Sequence, residues 1–218
     1  MSGLFVTFEG IDGSGKSTQA RRSFERLQGI GQDVILTREP GGSPGAEEIR
    51  ALLVQGEGDR WSPETELILF NAARRDHVER TIRPALERGA IVLCDRYVDS
   101  TRGYQGEEPE RARLIDLLHD TLIGLDPDLT FLITLSPEAA ASRDVSVKGN
   151  ETRFESFGSS FMGGVQERLI TRAKKEPDRF CVLDGSGPIE EINDRILHQI
   201  RERLDRRPDS APHSWDCM

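Results

Sequence analysis

The chain has 218 residues, with 29 Lys+Arg against 38 Asp+Glu for a formal net charge of −9. That length suits one large domain. The acidic balance excludes a duplex-binding protein, which needs a basic stripe, but not a small anion held by a local cluster of cations.

In chain order, the apolar, β-branched run Leu4–Glu9 predicts a strand and Lys16–Gly29 a helix. Asp33–Thr37 predicts a strand, Gly45–Gln55 and Pro63–Gly89 helices, and Ala90–Asp95 a third strand. Pro109–Gly124 reads as a helix, Leu129–Leu135 as a strand, and Pro137–Asp144 and Ser159–Lys175 as helices. Arg179–Asp184 and Ile189–Arg206 close the pattern as strand and helix. Short, nearly continuous apolar runs are expected of strands buried on both faces of a parallel sheet. Strands alternating with helices then predict an α/β fold, a three-layer sandwich around a five-stranded parallel sheet joined by right-handed crossovers. A single domain over residues 1–206 is expected, with 207–218 a tail that holds two prolines and no periodicity. Cys94 and Cys181 fall inside strand runs and read as small buried hydrophobes; with Cys217 they make no metal or redox spacing. No apolar run approaches the ~20 residues of a membrane span. The first residues, MSGLFVTFEG, have no signal-like character. A cytoplasmic protein is expected.

Between the first strand and the first helix stands Gly10-Ile11-Asp12-Gly13-Ser14-Gly15-Lys16-Ser17, followed by Thr18. It matches G-x-x-x-x-G-K-[ST] in the strand–loop–helix context that motif requires. The glycines let successive N–H groups curl around phosphate oxygens, and the helix N-terminus adds partial positive charge. Lys16 would reach the β/γ-phosphates and the Ser17 hydroxyl would sit on Mg²⁺, so a P-loop NTPase binding ATP with magnesium is expected. No Asn is followed by Lys, which argues against a guanine-reading GTPase, and no G-x-G-x-x-G follows a strand. Asp95 ends the third strand, where an acid can hold Mg²⁺ directly or through water, and Arg96 beside it can fork onto a phosphate. Arg38 leaves the second strand toward the same edge. Two arginines and a lysine at one sheet edge suggest two phosphate-bearing substrates.

The blocks EGIDGSGKST, TREPGG, DRYVDSTRGYQG and RFESF, in this order and spacing, resemble those of bacterial thymidylate kinases over about residues 4–200. The resemblance implies phosphoryl transfer from ATP to dTMP, and a homodimer. It also implies that Asp12 faces the sugar 3′-hydroxyl and the acceptor phosphate, and that Arg38 and Arg96 hold that phosphate. Phe70 and Arg74 lie four apart on a helix and so share a face. The resemblance makes Phe70 the residue stacking on thymine and Arg74 the donor to the base O4. Phe70 within LILF has a core side chain as its competing reading, and Arg74 and the neighbouring Arg75 a solvated surface charge. Thr101 and Gln105 match positions lining the base pocket, and Tyr104 the one that crowds the sugar 2′ position. Asp99 and Arg102 read as solvated loop residues, Tyr97 as structural, and His77, His119, His198 and His213 as structural or exposed.

The acceptor is a phosphate oxygen whose second pKa is about 6, so no general base is needed. The task is alignment and cation placement, by Lys16, Mg²⁺ and arginines. The family's P-loop arginine position, after the acid, is Gly13 here, so the cation is expected from a lid at about 143–158. There Arg143 and Arg153 match the family, whereas Val147 and Lys148 stand where an arginine is usual. A solvated loop with incidental charges is the competing reading of this segment. Another nucleoside monophosphate or small phosphorylated acceptor, and a non-catalytic nucleotide sensor, are the competing functions.

Overall fold

The computed structural model describes residues 3–56, 60–144 and 158–206. Strand β1 (Leu4–Glu9) is buried along its whole length, as is most of β4 (Leu129–Thr134). With β2 (Val34–Arg38), β3 (Ile91–Asp95) and β5 (Phe180–Asp184) they form one parallel sheet in the order β2-β3-β1-β4-β5. The register sets Phe8 beside Asp95 and Arg38 beside Asp95, so the carboxyl ends of β1, β2 and β3 finish level. At that edge of an open α/β sheet ligands bind. The five-stranded three-layer architecture expected from the sequence is the one found.

Alternation within β1 divides the core. Leu4, Val6 and Phe8 pack with α1 (Lys16–Gly29) and α9 (Ile189–Asp205) through Ala20, Leu27, Ile196 and Ile200. Phe5 faces the opposite layer, where Leu67, Val78, Ile82 and Ile115 come from the helices between β2 and β4. These are α2 (Pro44–Val54), α3 (Pro63–His77), α4 (Arg83–Glu87), α5 (Val98–Tyr104) and α6 (Pro109–Leu118). A third cluster joins Leu132 to α7 (Pro137–Asp144) and α8 (Ser159–Lys175) through Ala140, Val165 and Leu169. Proline at the first turn starts α2, α3 and α6, where its missing N–H costs nothing. One π-helical turn, Val78–Ile82, joins α3 to α4, and another, His119–Ile123, ends α6.

Two expectations are corrected. Residues 98–104 are helix α5 rather than loop, and Asp99 on it is fully buried instead of solvated. Arg102 is also largely covered, because it pairs with Asp99 at 3.0 Å and Asp116 at 2.8 Å. A buried carboxylate needs such partners, and Arg179 supplies two more bonds, at 2.7 and 3.2 Å. The lid segment 145–157, with Lys148 and Arg153, and the tail 207–218 lie outside the described residues.

Candidate active site

The loop after β1 turns on glycines. Gly13 has φ 75°, and a Cβ there would lie 2.3 Å from the carbonyl oxygen of Ala140. Gly15 caps α1 in the left-handed region at φ 101°. The first turn of α1 holds no acidic residue, which leaves its partial positive charge for an anion. Lys16 is the first helical residue and is buried; its Nζ donates to Asp12 Oδ1 at 3.1 Å and to the Ile11 carbonyl at 3.4 Å. Ser17 and Thr18 are exposed beside it.

Asp12 is the pivot between this loop and a second site. Its Oδ1 also accepts from Arg96 Nη2 at 2.6 Å. Burial opposes charge on Asp12, but Arg96 and Lys16 outweigh it and hold the carboxyl well below the usual carboxylate range. Arg96 has φ 69°, a conformation rare outside glycine, and its N–H donates to the Phe8 carbonyl at 2.9 Å. Its Nη1 donates to Ser100 Oγ at 2.9 Å and to Gly10 O at 3.3 Å, and the guanidinium carbon lies 5.0 Å from the Tyr104 ring centroid. Beneath it Glu9 is buried, accepting from Tyr97 N at 2.8 Å and Ser100 Oγ at 2.6 Å. Burial and then the charge of Asp99 raise Glu9 to about 7, against the opposing pull of Ser100 and Arg96.

Arg96 and Asp12 line a cavity of about 150 Å³, partly open to solvent. Phe70, Arg74, Thr101, Tyr104 and Gln105 also line it. Arg74 is 2% exposed. Its Nε donates to Glu39 Oε2 at 2.7 Å and its Nη2 to Thr101 Oγ1 at 3.0 Å, while Nη1 is buried with no partner among the described residues. An apolar ring, Phe70, and the guanidinium-bearing Arg74 lining one cleft suit a flat heterocycle with a carbonyl oxygen.

A family model described as thymidylate kinase matches residues 8–196. The chain belongs to the thymidylate kinase family. It is 50% identical to the thymidylate kinase of Ruegeria pomeroyi, over 94% of this chain and 98% of that protein. The thymidylate kinase of Dinoroseobacter shibae is 55% identical over 90% of this chain and 96% of its own. The crystal structure of thymidylate kinase from Ehrlichia chaffeensis covers 92% of this chain and 99% of its own at 34% identity, with a TM-score of 0.72.

Within this thymidylate kinase family member, seven of the residues expected at the acceptor site line the cavity: Asp12, Phe70, Arg74, Arg96, Thr101, Tyr104 and Gln105. Phe70 is half-buried and Arg75, with a half-exposed side chain, is turned to Glu79, so only Arg74 of the two arginines reaches the cleft. Arg38 does not line it; its Nη2 lies 3.3 Å from Glu47, and its side chain is 55% exposed. Arg143 likewise stands apart, donating to the Gly185 carbonyl at 3.0 Å on the loop after β5. That loop rests against the phosphate-binding loop, since a Cβ on Gly185 would lie 2.7 Å from the Ser14 carbonyl oxygen. Tyr97, read as structural, is fully buried, and its hydroxyl donates to the Leu125 carbonyl at 3.0 Å. Of the histidines, His77 and His119 are buried on polar partners.

Sequence reasoning missed Glu39, Arg50 and Ser100, which also line the cavity. Arg50 carried a signal: it shares the covered face of α2 with Ala46, Leu53 and Val54, spaced four, three and four residues apart, and a guanidinium in an apolar stripe marks a site. For magnesium the donor set fits. Asp95 Oδ1 is buried without a partner among the described residues, and Ser17 offers an exposed hydroxyl. No cluster of three or more His, Cys, Asp or Glu able to hold a metal occurs among the described residues. Mg²⁺ in nucleotide sites takes one or two protein oxygens, with phosphates and waters for the rest.

Proposed function

We propose that the chain transfers the γ-phosphoryl group of ATP to dTMP, giving ADP and dTDP. One observation carries the reading: Asp12 joins the phosphate-binding lysine to a cleft that Arg96 and Arg74 both line. ATP is held by the loop Gly10–Thr18, its phosphates over the N-terminus of α1. Ser17 and Asp95 are the protein groups for Mg²⁺, which when bound neutralises developing charge on the phosphates. The acceptor's phosphate lies on Arg96, with Arg50 of the same cleft beside the TREPGG turn, and its base lies between Phe70 and Arg74.

Transfer forms a bond from an acceptor phosphate oxygen to the γ-phosphorus as the bond to the β–γ bridging oxygen breaks. The electron pair leaves on ADP. The acceptor oxygen carries no proton that must be removed at neutral pH, and the cleft holds no histidine among its described lining. What the residues supply is alignment, exclusion of water and preorganised positive charge. Tyr104, pushed up to about 12 chiefly by burial, stays a neutral phenol 3.4 Å from Asp12 and fills the space beside the sugar.

The remaining substrate assignments follow the same geometry. No helix among the described residues is long and apolar enough to cross a membrane, and a cytoplasmic enzyme is the reading. Ile68 and Leu117, each 61% exposed on α3 and α6, support a homodimer through that layer. ADP release with Mg·ATP across dTMP, dUMP, dCMP, dAMP and GMP tests the activity. Turnover of dTMP above all others is expected; turnover of another acceptor with none of dTMP would overturn it.

A further inference from the structure

The buried end of the acceptor cleft contains a polar chain that the transfer reaction itself does not use. Thr37, at the end of β2, places Oγ1 2.7 Å from His77 Nε2. His77 Nδ1 lies 3.1 Å from Glu39 Oε1, and the other oxygen of Glu39 accepts from Arg74 Nε at 2.7 Å. Arg74 then donates to Thr101 on α5 at 3.0 Å. Four hydrogen bonds thus tie β2, the turn after it, α3 and α5 into one line. His77 is fully buried, and Glu39 and Arg74 are 5% and 2% exposed. The turn closes over the ring: a Cβ on Gly42 would fall 2.3 Å from His77 Nε2 and 2.4 Å from Thr37 Oγ1.

An ionised Glu39 only accepts, so the proton facing it must be on His77 Nδ1. Nε2 then meets the Thr37 hydroxyl, and each link fixes the next. Arg74 has five N–H donors in a rigid fork. With Nε and Nη2 committed and the guanidinium carbon 5.2 Å from the Tyr97 ring centroid, its plane cannot turn without breaking a buried bond.

We propose that His77 is a positioning residue for recognition of the acceptor's base: through Glu39 it sets the plane of Arg74, the guanidinium that lines the cleft. The inference rests on the reading of the cleft as the dTMP site. His77 touches no substrate, yet it decides how tightly the base is held. Its effect falls on acceptor binding and leaves ATP binding and the transfer step alone.

The test compares His77→Leu, His77→Asn and the wild type in kcat and in KM for each substrate, with ¹⁵N NMR of the wild-type ring. His77→Leu is expected to raise KM for dTMP by about tenfold or more, with kcat and KM for ATP within about threefold. His77→Asn, whose amide N–H can replace Nδ1–H, is expected to recover most of that loss. Equal damage by Asn and Leu, or a fall in kcat with both KM values moved together, overturns the proposal. So does an unchanged KM for dTMP. If His77→Leu does not fold, the NMR measurement decides: a proton on Nδ1 supports the chain, and a ring protonated on Nε2 alone breaks it. A wild-type enzyme that ignores dTMP would instead defeat the substrate reading, which the same assay shows separately.

Discussion

Among the described residues, Glu9 is a carboxylate whose surroundings oppose its charge, and the sign of its effect on stability follows. Its native value near 7 stands above the ordinary 4.5, so between those values the native state keeps a proton that the unfolded chain has released. Stability therefore falls as pH rises through this window, by up to about 3 kcal/mol, and levels off above it. Asp12 and Asp99 are displaced downward, which places their contribution below the ordinary Asp value of 3.8 and outside the window. Glu9→Gln is expected to flatten the decline in Tm between pH 5 and 8 relative to wild type; parallel curves for the two proteins would contradict it. Arg143 is the other informative single residue, because it stands on the donor side, tethered to Gly185 rather than lining the acceptor cleft. Arg143→Ala is expected to lower kcat by more than about 100-fold, with dTMP affinity little changed, as loss of a transition-state cation does. Near-normal kcat would remove Arg143 from the transfer step.

At the scale of elements, α5 shows where sequence pattern stops being readable. Strands announce themselves by apolar runs and long helices by periodic apolar residues, so β1, α1, α7 and α8 are located to the residue. The buried side of α5 is Val98, Asp99, Thr101 and Gly103, a mostly polar stripe with no hydrophobic period to detect. What makes burial of that stripe affordable is distant in sequence: Arg179, 80 residues on, bonds both oxygens of Asp99. Hydrogen bonds and charge from Arg179 overcome the burial of Asp99 and hold its carboxyl below the usual range. Asp99→Asn leaves Arg102, Arg179 and the more distant Arg172 short of their shared anion, so a loss of about 3–5 kcal/mol is expected in urea or thermal unfolding. Because α5 carries Thr101, Tyr104 and the preceding Arg96, KM for dTMP should rise in the same variant. A loss under about 1 kcal/mol would mean that water, not Asp99, satisfies Arg179 and Arg102.

For the whole molecule, the sequence specifies parallel strands but not their order, since no local pattern says that β3 lies between β2 and β1. That order is what brings the ends of three strands together and makes one edge serve two substrates. The phosphate-binding loop was legible because its chemistry is contiguous, whereas the acceptor cleft draws on α2, α3 and α5, and Glu39 and Arg50 acquire roles only when those elements meet. The net charge of −9 is likewise silent about the site, where Lys16 and Arg96 gather on Asp12 and Arg74 on Glu39. Two sites at one edge of a single parallel sheet should each add stability when filled. A ligand at about 100 times its Kd contributes about 2.7 kcal/mol, and about 2–4 °C per kcal/mol then predicts a Tm rise of about 5–10 °C for either substrate. Lys16→Met is expected to abolish the rise with Mg·ATP and keep the rise with dTMP, and Arg74→Met to do the reverse. The separation follows from geometry: Lys16 bonds Ile11 and Asp12 of its own loop, and Arg74 bonds Glu39 and Thr101, so the two share no hydrogen-bond partner among the described residues. Differential scanning fluorimetry reads both shifts, and a variant that loses both at once would show that the two sites are coupled through Asp12 and not independent.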